Sequence, residues 1–165
     1  MLFRKSIAAL AALTVFASTQ AQALSCLKPS IEQSFNSWAD SSDFYYIASG
    51  KLTPLGPLPP VPAPGTRVPG EERPELRAVY QFDGTLIGTQ EDSPLSHVIW
   101  VRVNCLGDWC GGFPTDEESG VFALKNLPDM TLEANFSPCP GDRFLDPTGE
   151  IETKVRNCMR AGRCQ

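Results

Sequence analysis

Apolar and polar residues alternate along several short stretches of the chain, which is the pattern of β-strands that are buried on one face. The alternation is cleanest over residues 76–82, where every second side chain is apolar. Apolar and β-branched residues predict further strands over residues 44–52, 97–105, 121–124 and 130–136. The first of these is apolar on both faces, so we expect it to be buried twice, inside a barrel or under a helix.

Turn-forming residues separate these strands. Asp83-Gly84 predicts a two-residue hairpin turn into a further strand at residues 85–87. Residues 54–74 contain eight prolines and three glycines, which exclude a regular strand ladder and predict a long, stiff, exposed loop. The glycines at 107, 111 and 112 predict turns where two chain segments approach closely.

Two segments have helical signals. Residues 30–40 begin with a capping box at Ser30 and place apolar side chains at the spacing of one helix face, which predicts a short amphipathic helix. The tail from Glu150 fits both a strand and a helix face. We favour the helix, because acidic residues at its start, arginines near its end and Gly162 beyond it suit a helix dipole.

Residues 1–23 have the features of a secretory signal peptide: a basic start, an apolar run over residues 7–17 and a small-x-small cleavage site ending at Ala23. The apolar run is too short to span the roughly 30 Å hydrocarbon layer of a membrane, and no later segment is long enough. A second small-x-small site ends at Ser25. Cleavage after Ala23 leaves residues 24–165 as a single domain, and we predict a periplasmic or extracellular location.

The charge balance is acidic. The full chain has 14 basic and 19 acidic residues, a net charge of −5. Removal of the signal takes away two basic residues, so 12 minus 19 gives −7 for the mature chain. This balance argues against nucleic acid and against anionic membrane surfaces as partners.

All six cysteines follow the signal: Cys26, Cys105, Cys110, Cys139, Cys158 and Cys164. An even number in a chain bound for an oxidising compartment predicts three disulfides. Among the 15 pairings that six cysteines allow, we favour pairs between neighbours in sequence, with the remaining bond tying the N-terminus to the body. That choice gives Cys26–Cys139, Cys105–Cys110 and Cys158–Cys164. Zinc is disfavoured, because the chain has no Cys-x-x-Cys pair and one histidine.

Catalytic residues are not predicted. His97 is the only histidine, and the sequence around it supplies no nucleophile and orienting group for a Ser-His or Cys-His catalyst. The acidic residues 116–118 lack the spacing of a calcium loop. We therefore predict no metal and no cofactor, and we name Trp100, Arg102 and Trp109 as a contact surface.

The predicted elements combine into a mainly β fold: a small OB-like barrel of five to six strands with a short N-terminal helix and a C-terminal helix, stabilised by disulfides. The chain also resembles the family of tissue inhibitors of metalloproteinases and netrin modules, including its bacterial members, over roughly residues 26–139. The resemblance is carried, in order, by Cys26, Phe35, the strand from Tyr45 to Gly50, Cys110-Gly111-Gly112-Phe113, the strand from Val121 to Leu124, and Cys139.

One departure from that family lies at the N-terminus. The family opens with Cys-x-Cys, whereas this chain has Cys26-Leu27-Lys28. In the metalloproteinase inhibitors the free amino group of an N-terminal cysteine sits on the protease zinc. The resemblance implies that role only for Cys26, and only if cleavage follows Ser25.

The sequence thus favours a non-enzymatic binding module for an unidentified protein or small ligand. Three alternatives stay open. The first is a protease-inhibitor-like protein acting through Cys26, and the second is a thiol-disulfide redox protein using Cys105 and Cys110. The third is an envelope protein lipid-anchored at Cys26, which we disfavour because Leu24 occupies a position where a small residue is expected and lipidation would leave one thiol without a partner.

Overall fold

Strands dominate the part of the chain that the computed structural model describes, namely Cys26 and residues 29–66, 75–139, 141–146 and 148–165. The signal peptide predicted at residues 1–23 and both cleavage sites lie outside these residues. In chain order, the elements are α1 (Ile31–Ala39), β1 (Tyr45–Pro54), β2 (Leu76–Leu86), β3 (Ser93–Val103), β4 (Cys105–Leu106), β5 (Trp109–Cys110), β6 (Glu118–Asn126), β7 (Leu132–Phe136), β8 (Arg143–Leu145) and α2 (Glu150–Ala161).

Five of the strands close a barrel. Their order is β1-β2-β3-β7-β6, and β6 pairs in turn with β1. Neighbouring strands are antiparallel except β3 and β7, which are parallel. The predicted OB-like barrel is thereby confirmed, and β8 is an additional strand that pairs with the middle of β6.

The barrel interior is the main hydrophobic core. Successive side chains of a strand point to opposite faces, so every second residue of each barrel strand faces inward. The buried members of this core are Ala48, Leu52, Leu76, Ala78, Tyr80, Phe82, Ile99, Val101, Val103, Phe122, Leu124, Leu132, Ala134 and Phe136. The alternation predicted for residues 76–82 is confirmed by this arrangement.

The two helices cover the outer face of β1 and β6 and form a second core there. Its buried members are Ile31, Phe35, Trp38, Ile47, Ile87, Val121, Ala123, Val155, Cys158 and Cys164. In β1, Ala48 faces the interior and Ile47 faces the helices. In β6, Phe122 faces the interior and Val121 faces the helices. The double burial predicted for the first strand is confirmed.

Both helices have the predicted end signals. The hydroxyl of Ser30 accepts a hydrogen bond from the backbone N–H of Gln33 at 3.1 Å, which caps the first turn of α1. The tail from Glu150 is the helix that we favoured, with Glu150 and Glu152 in its first turn. It ends at Gly162, whose φ of 76° suits a residue without a Cβ.

The hairpin predicted at Asp83-Gly84 is wrong. β2 runs straight through these residues, and Gly84 pairs with Gly50 of β1 and with Leu95 of β3. A Cβ on Gly84 would collide with the backbone oxygen of Ser49 and the Cα of Gly50. The glycine is needed because two strands cross closely there, and the connection between β2 and β3 lies later, at residues 87–92.

Three disulfides fasten the fold, with the pairing that we favoured. Cys26–Cys139 joins the N-terminal segment to the chain just beyond β7. Cys105–Cys110 closes the small β4–β5 hairpin, and Cys158–Cys164 ties the last turn of α2 to the C-terminal residues. Among the described residues, no helix has the length and apolar character needed to cross a membrane.

Candidate functional site

The contact surface predicted at Trp100, Arg102 and Trp109 is split between two sheets. Trp100 and Arg102 lie on the outer face of β3, on the side of the barrel away from the second core. Trp109 lies on β5, in the separate two-stranded sheet, where it pairs with Leu106 and is 43% exposed. The structure therefore brings two of the three residues together.

Trp100 and Arg102 belong to what we call the arginine cluster, which also includes Arg77 of β2 and Glu133 of β7. The Glu133 side chain is only 3% exposed and accepts a hydrogen bond from Arg77 Nε at 2.9 Å. The Arg77 guanidinium carbon lies 5.2 Å from the centre of the Trp100 ring, in a cation–π contact. An ion pair and a cation–π contact within the protein thus fix these side chains on the outer face.

Arg102 completes the cluster through contacts with two carboxylates. Its Nη2 pairs with Glu75 at 2.8 Å, and its Nε lies 3.0 Å from Glu133 Oε1. The second contact is an ion pair without hydrogen-bond geometry, so Arg102 Nε is the one buried side-chain nitrogen or oxygen left without a hydrogen bond in the described part of the chain. Both arginines are occupied by carboxylates of the same protein, which weakens the case for this surface as a binding site.

One end of the barrel, which we call the closed end, is filled. Pro54 pairs with Tyr80, and Leu76 pairs with Val103, so the chain segments that follow β1 and β3 both leave from this end. Residues from these segments pack against the core, namely Leu58, Val61, Cys105, Cys110 and Phe113. The predicted proline-rich loop therefore covers part of the core in its described portion, residues 55–66, instead of remaining wholly exposed.

Hydrogen bonds fix the covering segments to the closed end. The buried hydroxyl of Tyr80 donates to the carbonyl oxygen of Pro114 at 2.7 Å. The backbone N–H of Asn104 donates to the carbonyl of Phe136, and that of Gly111 donates to the carbonyl of Asn104, both at 2.9 Å. A Cβ on Gly111 would collide with the backbone at Phe136, so the close approach predicted for this glycine is confirmed.

The opposite end of the barrel is open, and we call it the barrel mouth. It is a cleft of about 350 Å³. The residues that line it are Tyr46, Leu86, Leu95, His97, Asn126, Met130 and Leu132. Each of the five barrel strands contributes at least one inward-facing residue, and Met130 comes from the β6–β7 loop. The cleft is the last layer of the barrel interior, and no segment among the described residues fills it.

Large apolar side chains extend the mouth outward. Phe44 is 60% exposed and Met130 is 80% exposed, and the Phe44 ring meets the edge of Tyr46 with their centres 4.9 Å apart. Burial of such side chains is favourable at roughly 25 cal/mol per Å² of apolar surface, so their exposure is a cost in the unliganded protein. Contiguous exposed apolar surface of this kind marks interaction sites.

The loop that carries Met130 is a tightly built turn. Met130 has a φ of 65°, in the left-handed region that a residue of its size rarely adopts. The carboxylate of Asp129 accepts hydrogen bonds from the backbone N–H and the hydroxyl of Thr131, which lowers the pKa of Asp129. The N–H of Leu127 donates to the Thr131 carbonyl at 2.9 Å. The turn therefore holds Met130 outward at a conformational cost.

His97 and Asn126 are polar side chains in the wall of the mouth, and Tyr46 adds a phenol hydroxyl. The predicted face of β3 is correct, because His97 follows the same alternation as Ile99 and Val101. Those two are buried, whereas His97 is exposed at the open end. Within the described ranges the His97 side chain has no hydrogen-bonded or ion-paired partner. The cleft thus combines apolar walls with three hydrogen-bonding side chains, as small binding pockets do.

The acidic turn at residues 116–118 is engaged in ion pairs. Glu117 pairs with Lys51 at 2.8 Å, and Glu118 pairs with Arg143 at 3.1 Å. In the portion of the chain described above, no group of three or more histidine, cysteine, aspartate or glutamate side chains is arranged to hold a metal ion.

Comparison with known proteins assigns no family. No family model matches the chain, and neither the curated proteins nor the solved structures include a match. The resemblance to metalloproteinase inhibitors and netrin modules therefore stays a prediction from the residues quoted for it. The sequence did not identify the barrel mouth, although the unusual exposure of Met130 has a local signal in the Pro128-Asp129 turn that precedes it.

Proposed function

We propose that this protein is a secreted or periplasmic, non-enzymatic binding module that captures an apolar group in the barrel mouth. The observation that carries the proposal is that, in the described part of the chain, one end of the barrel is covered and the other is open and ringed by exposed Phe44, Tyr46 and Met130. A rigid barrel with an apolar, partly polar-lined cleft at one end suits binding, because the cleft is formed before the ligand arrives.

The compartment is proposed from the cysteines and the N-terminal sequence. All six cysteines are paired, and disulfides persist in oxidising compartments such as the periplasm and the extracellular space. The signal-like residues 1–23 agree with that location. The pairing of Cys26 also argues against the lipid anchor, because its thiol is engaged with Cys139.

Binding of the neutral fluorescent dye Nile red tests the proposed site. We expect saturable binding to the wild type and a loss of at least about fivefold in affinity in a Phe44→Ser/Met130→Asn double variant. The matched control is Leu55→Ser/Leu145→Ser, which removes two side chains that are 54% and 56% exposed at other positions. Equal weakening in both variants, with unchanged thermal unfolding, would contradict the proposal.

The proposal that the protein does not catalyse a reaction is tested separately. His97 lines the mouth without a partner nucleophile in the described residues, which supports binding over catalysis. Any turnover that disappears in a His97→Ala variant would overturn this part of the proposal. A thiol titration of the native protein tests the redox alternative, because paired Cys105 and Cys110 should yield no free thiol and should resist mild reductant.

The inhibitor alternative depends on the mature N-terminus. Cys26 is held against Cys139, so a chain beginning at Cys26 would present a fixed amino group. Mass spectrometry of the secreted protein decides between the two cleavage sites. A chain that begins at Leu24 would exclude the inhibitor role, because two residues would then precede Cys26.

A further inference from the structure

We infer that the ligand of the barrel mouth is a positively charged segment of a partner protein, which inserts a large apolar side chain into the cleft. The inference rests on the proposed function and adds the chemistry of the partner. It is drawn from the charges of the segments around the mouth and from the extent of the exposed apolar surface.

Three short segments border the mouth: residues 40–44 before β1, residues 87–92 between β2 and β3, and residues 127–131 between β6 and β7. Together they contain five acidic residues and no lysine or arginine. The acidic residues are Asp40, Asp43, Glu91, Asp92 and Asp129. These three segments therefore contribute only negative charges, and those of their carboxylates that have no basic partner in the protein would attract a partner of the opposite sign.

Three of these carboxylates already have basic partners in the protein. Asp40 pairs with Arg163 and Asp43 with Lys125, and Asp92 pairs with Arg156 of α2. Glu91 and Asp129 form no ion pair with any described residue, and both are exposed.

Asp129 is the better placed of these two unpaired carboxylates. It directly precedes Met130, which lines the cleft, and its carboxylate accepts two hydrogen bonds from Thr131 at that position. A basic side chain next to an inserted apolar one would meet it there.

The exposed apolar surface is larger than the cleft itself. The cleft of about 350 Å³ is near the lower limit of small-molecule pockets. Phe44 and Met130 project beyond it, with 60% and 80% of their surface exposed. A small molecule seated in the cleft would contact these side chains but leave much of their surface in water, whereas a peptide segment would cover more of that surface while it placed one side chain inside.

The test uses three rhodamine-labelled peptides that share a Leu-Phe-Leu centre and differ in the flanking residues, which are lysine, glutamine or glutamate. Fluorescence anisotropy at low ionic strength should show the lysine peptide binding about three- to tenfold more tightly than the glutamine peptide, with the glutamate peptide weakest. The difference should shrink as salt is added, because exposed charges are screened.

Matched variants locate the effect. Glu91→Gln/Asp129→Asn should reduce the preference for lysine to less than about twofold. Asp116→Asn/Glu117→Gln removes the same charge from the other end of the barrel and should leave the preference unchanged. A lysine peptide that binds no more tightly than the glutamine peptide, or an equal loss in both variants, would overturn the inference.

The two proposals fail in different ways. If the glutamine peptide binds and its binding requires Phe44 and Met130, the mouth is a binding site whether or not lysine helps. If no peptide and no Nile red binds the wild type, the proposed function fails, and the inference about charge fails with it.

Discussion

The closed end and the mouth of the barrel are formed by opposite ends of the same five strands, yet the described residues fill only the closed end. At the closed end the connections are long, and residues within their described parts, 55–66 and 104–117, pack against the interior. At the mouth the connections are short, residues 87–92 and 127–131. A short connection spans neighbouring strands and has no residues left to cover the core.

This difference separates stability from binding in one small barrel. Side chains at the closed end are buried and hydrogen-bonded, so their removal should cost folding free energy. Phe44 and Met130 at the rim of the mouth are exposed, so their removal should cost ligand affinity instead. Matched substitutions at the two ends should therefore have different effects.

The largest expected effect is at the closed end. Phe136 is 1% exposed and packs in the core with the Phe122 ring centre 6.4 Å away. We expect Phe136→Ala to lower the free energy of unfolding by about 3–5 kcal/mol, because it removes buried apolar surface and leaves a cavity. Urea denaturation measures the loss. The control is Met130→Ala at the mouth, which should change stability by less than about 0.5 kcal/mol; similar losses in both would refute the distinction between the ends.

A smaller effect is expected for Tyr80→Phe at the closed end. The change leaves the Pro114 carbonyl without its hydrogen bond, which should cost about 1–2 kcal/mol at neutral pH. Tyr46→Phe is the counterpart at the mouth, where the side chain is partly in water, and should cost less than about 0.5 kcal/mol. Urea denaturation at pH 7 compares the two variants, and a Tyr46→Phe loss as large as that of Tyr80→Phe would count against the comparison.

Tyr80 should also make the free energy of unfolding depend on pH. Burial, with a smaller effect from Glu118, raises the pKa of Tyr80 to about 12. A raised pKa in the folded state means that the unfolded chain loses its proton first, above the ordinary tyrosine pKa of 10.0. The contribution of Tyr80 should therefore be constant below pH 10 and should fall as the pH rises towards 12, at roughly 1.4 kcal/mol per pH unit at most. The Tyr80→Phe variant should lack that part of the decline in alkaline denaturation curves.

The features that could be predicted from the sequence are those with local causes. The capped helix at residues 30–40 depends on Ser30 and on apolar side chains that recur at helical spacing within a few turns. The alternation over residues 76–82 depends on neighbours along one strand. Two of the three disulfides join cysteines that lie five or six residues apart, so proximity in sequence was a sufficient guide. These patterns also determined the fold class.

The features that could not be predicted depend on residues brought together by barrel closure. Asp83-Gly84 has the local chemistry of a turn, but Gly84 is required by the approach of Gly50 on another strand. Trp100 was expected at a contact surface, but Arg77 and Glu133 from two other strands hold it in the arginine cluster. The mouth combines residues from five strands and one loop, and no single segment contains its pattern.

The smallest expected change in stability is at Met130. Substitutions there can separate the conformational cost of the left-handed backbone from the contact with the ligand. Asparagine tolerates the left-handed conformation of this residue, whereas valine, with its branched Cβ, is strained there. We expect Met130→Asn to leave the free energy of unfolding unchanged or to raise it by up to about 1 kcal/mol, and Met130→Val to lower it by about 1 kcal/mol.

The affinity of these two variants for Nile red should follow the opposite order to their stability. Met130→Val keeps an apolar side chain at the rim of the mouth and should retain most of the affinity for Nile red. Met130→Asn removes that surface and should bind more weakly, although it is the more stable protein. Urea denaturation and dye titration of the same two variants measure both quantities. If affinity instead rose and fell with stability, Met130 would act through the fold, and the turn at residues 127–131 would have no separate part in binding.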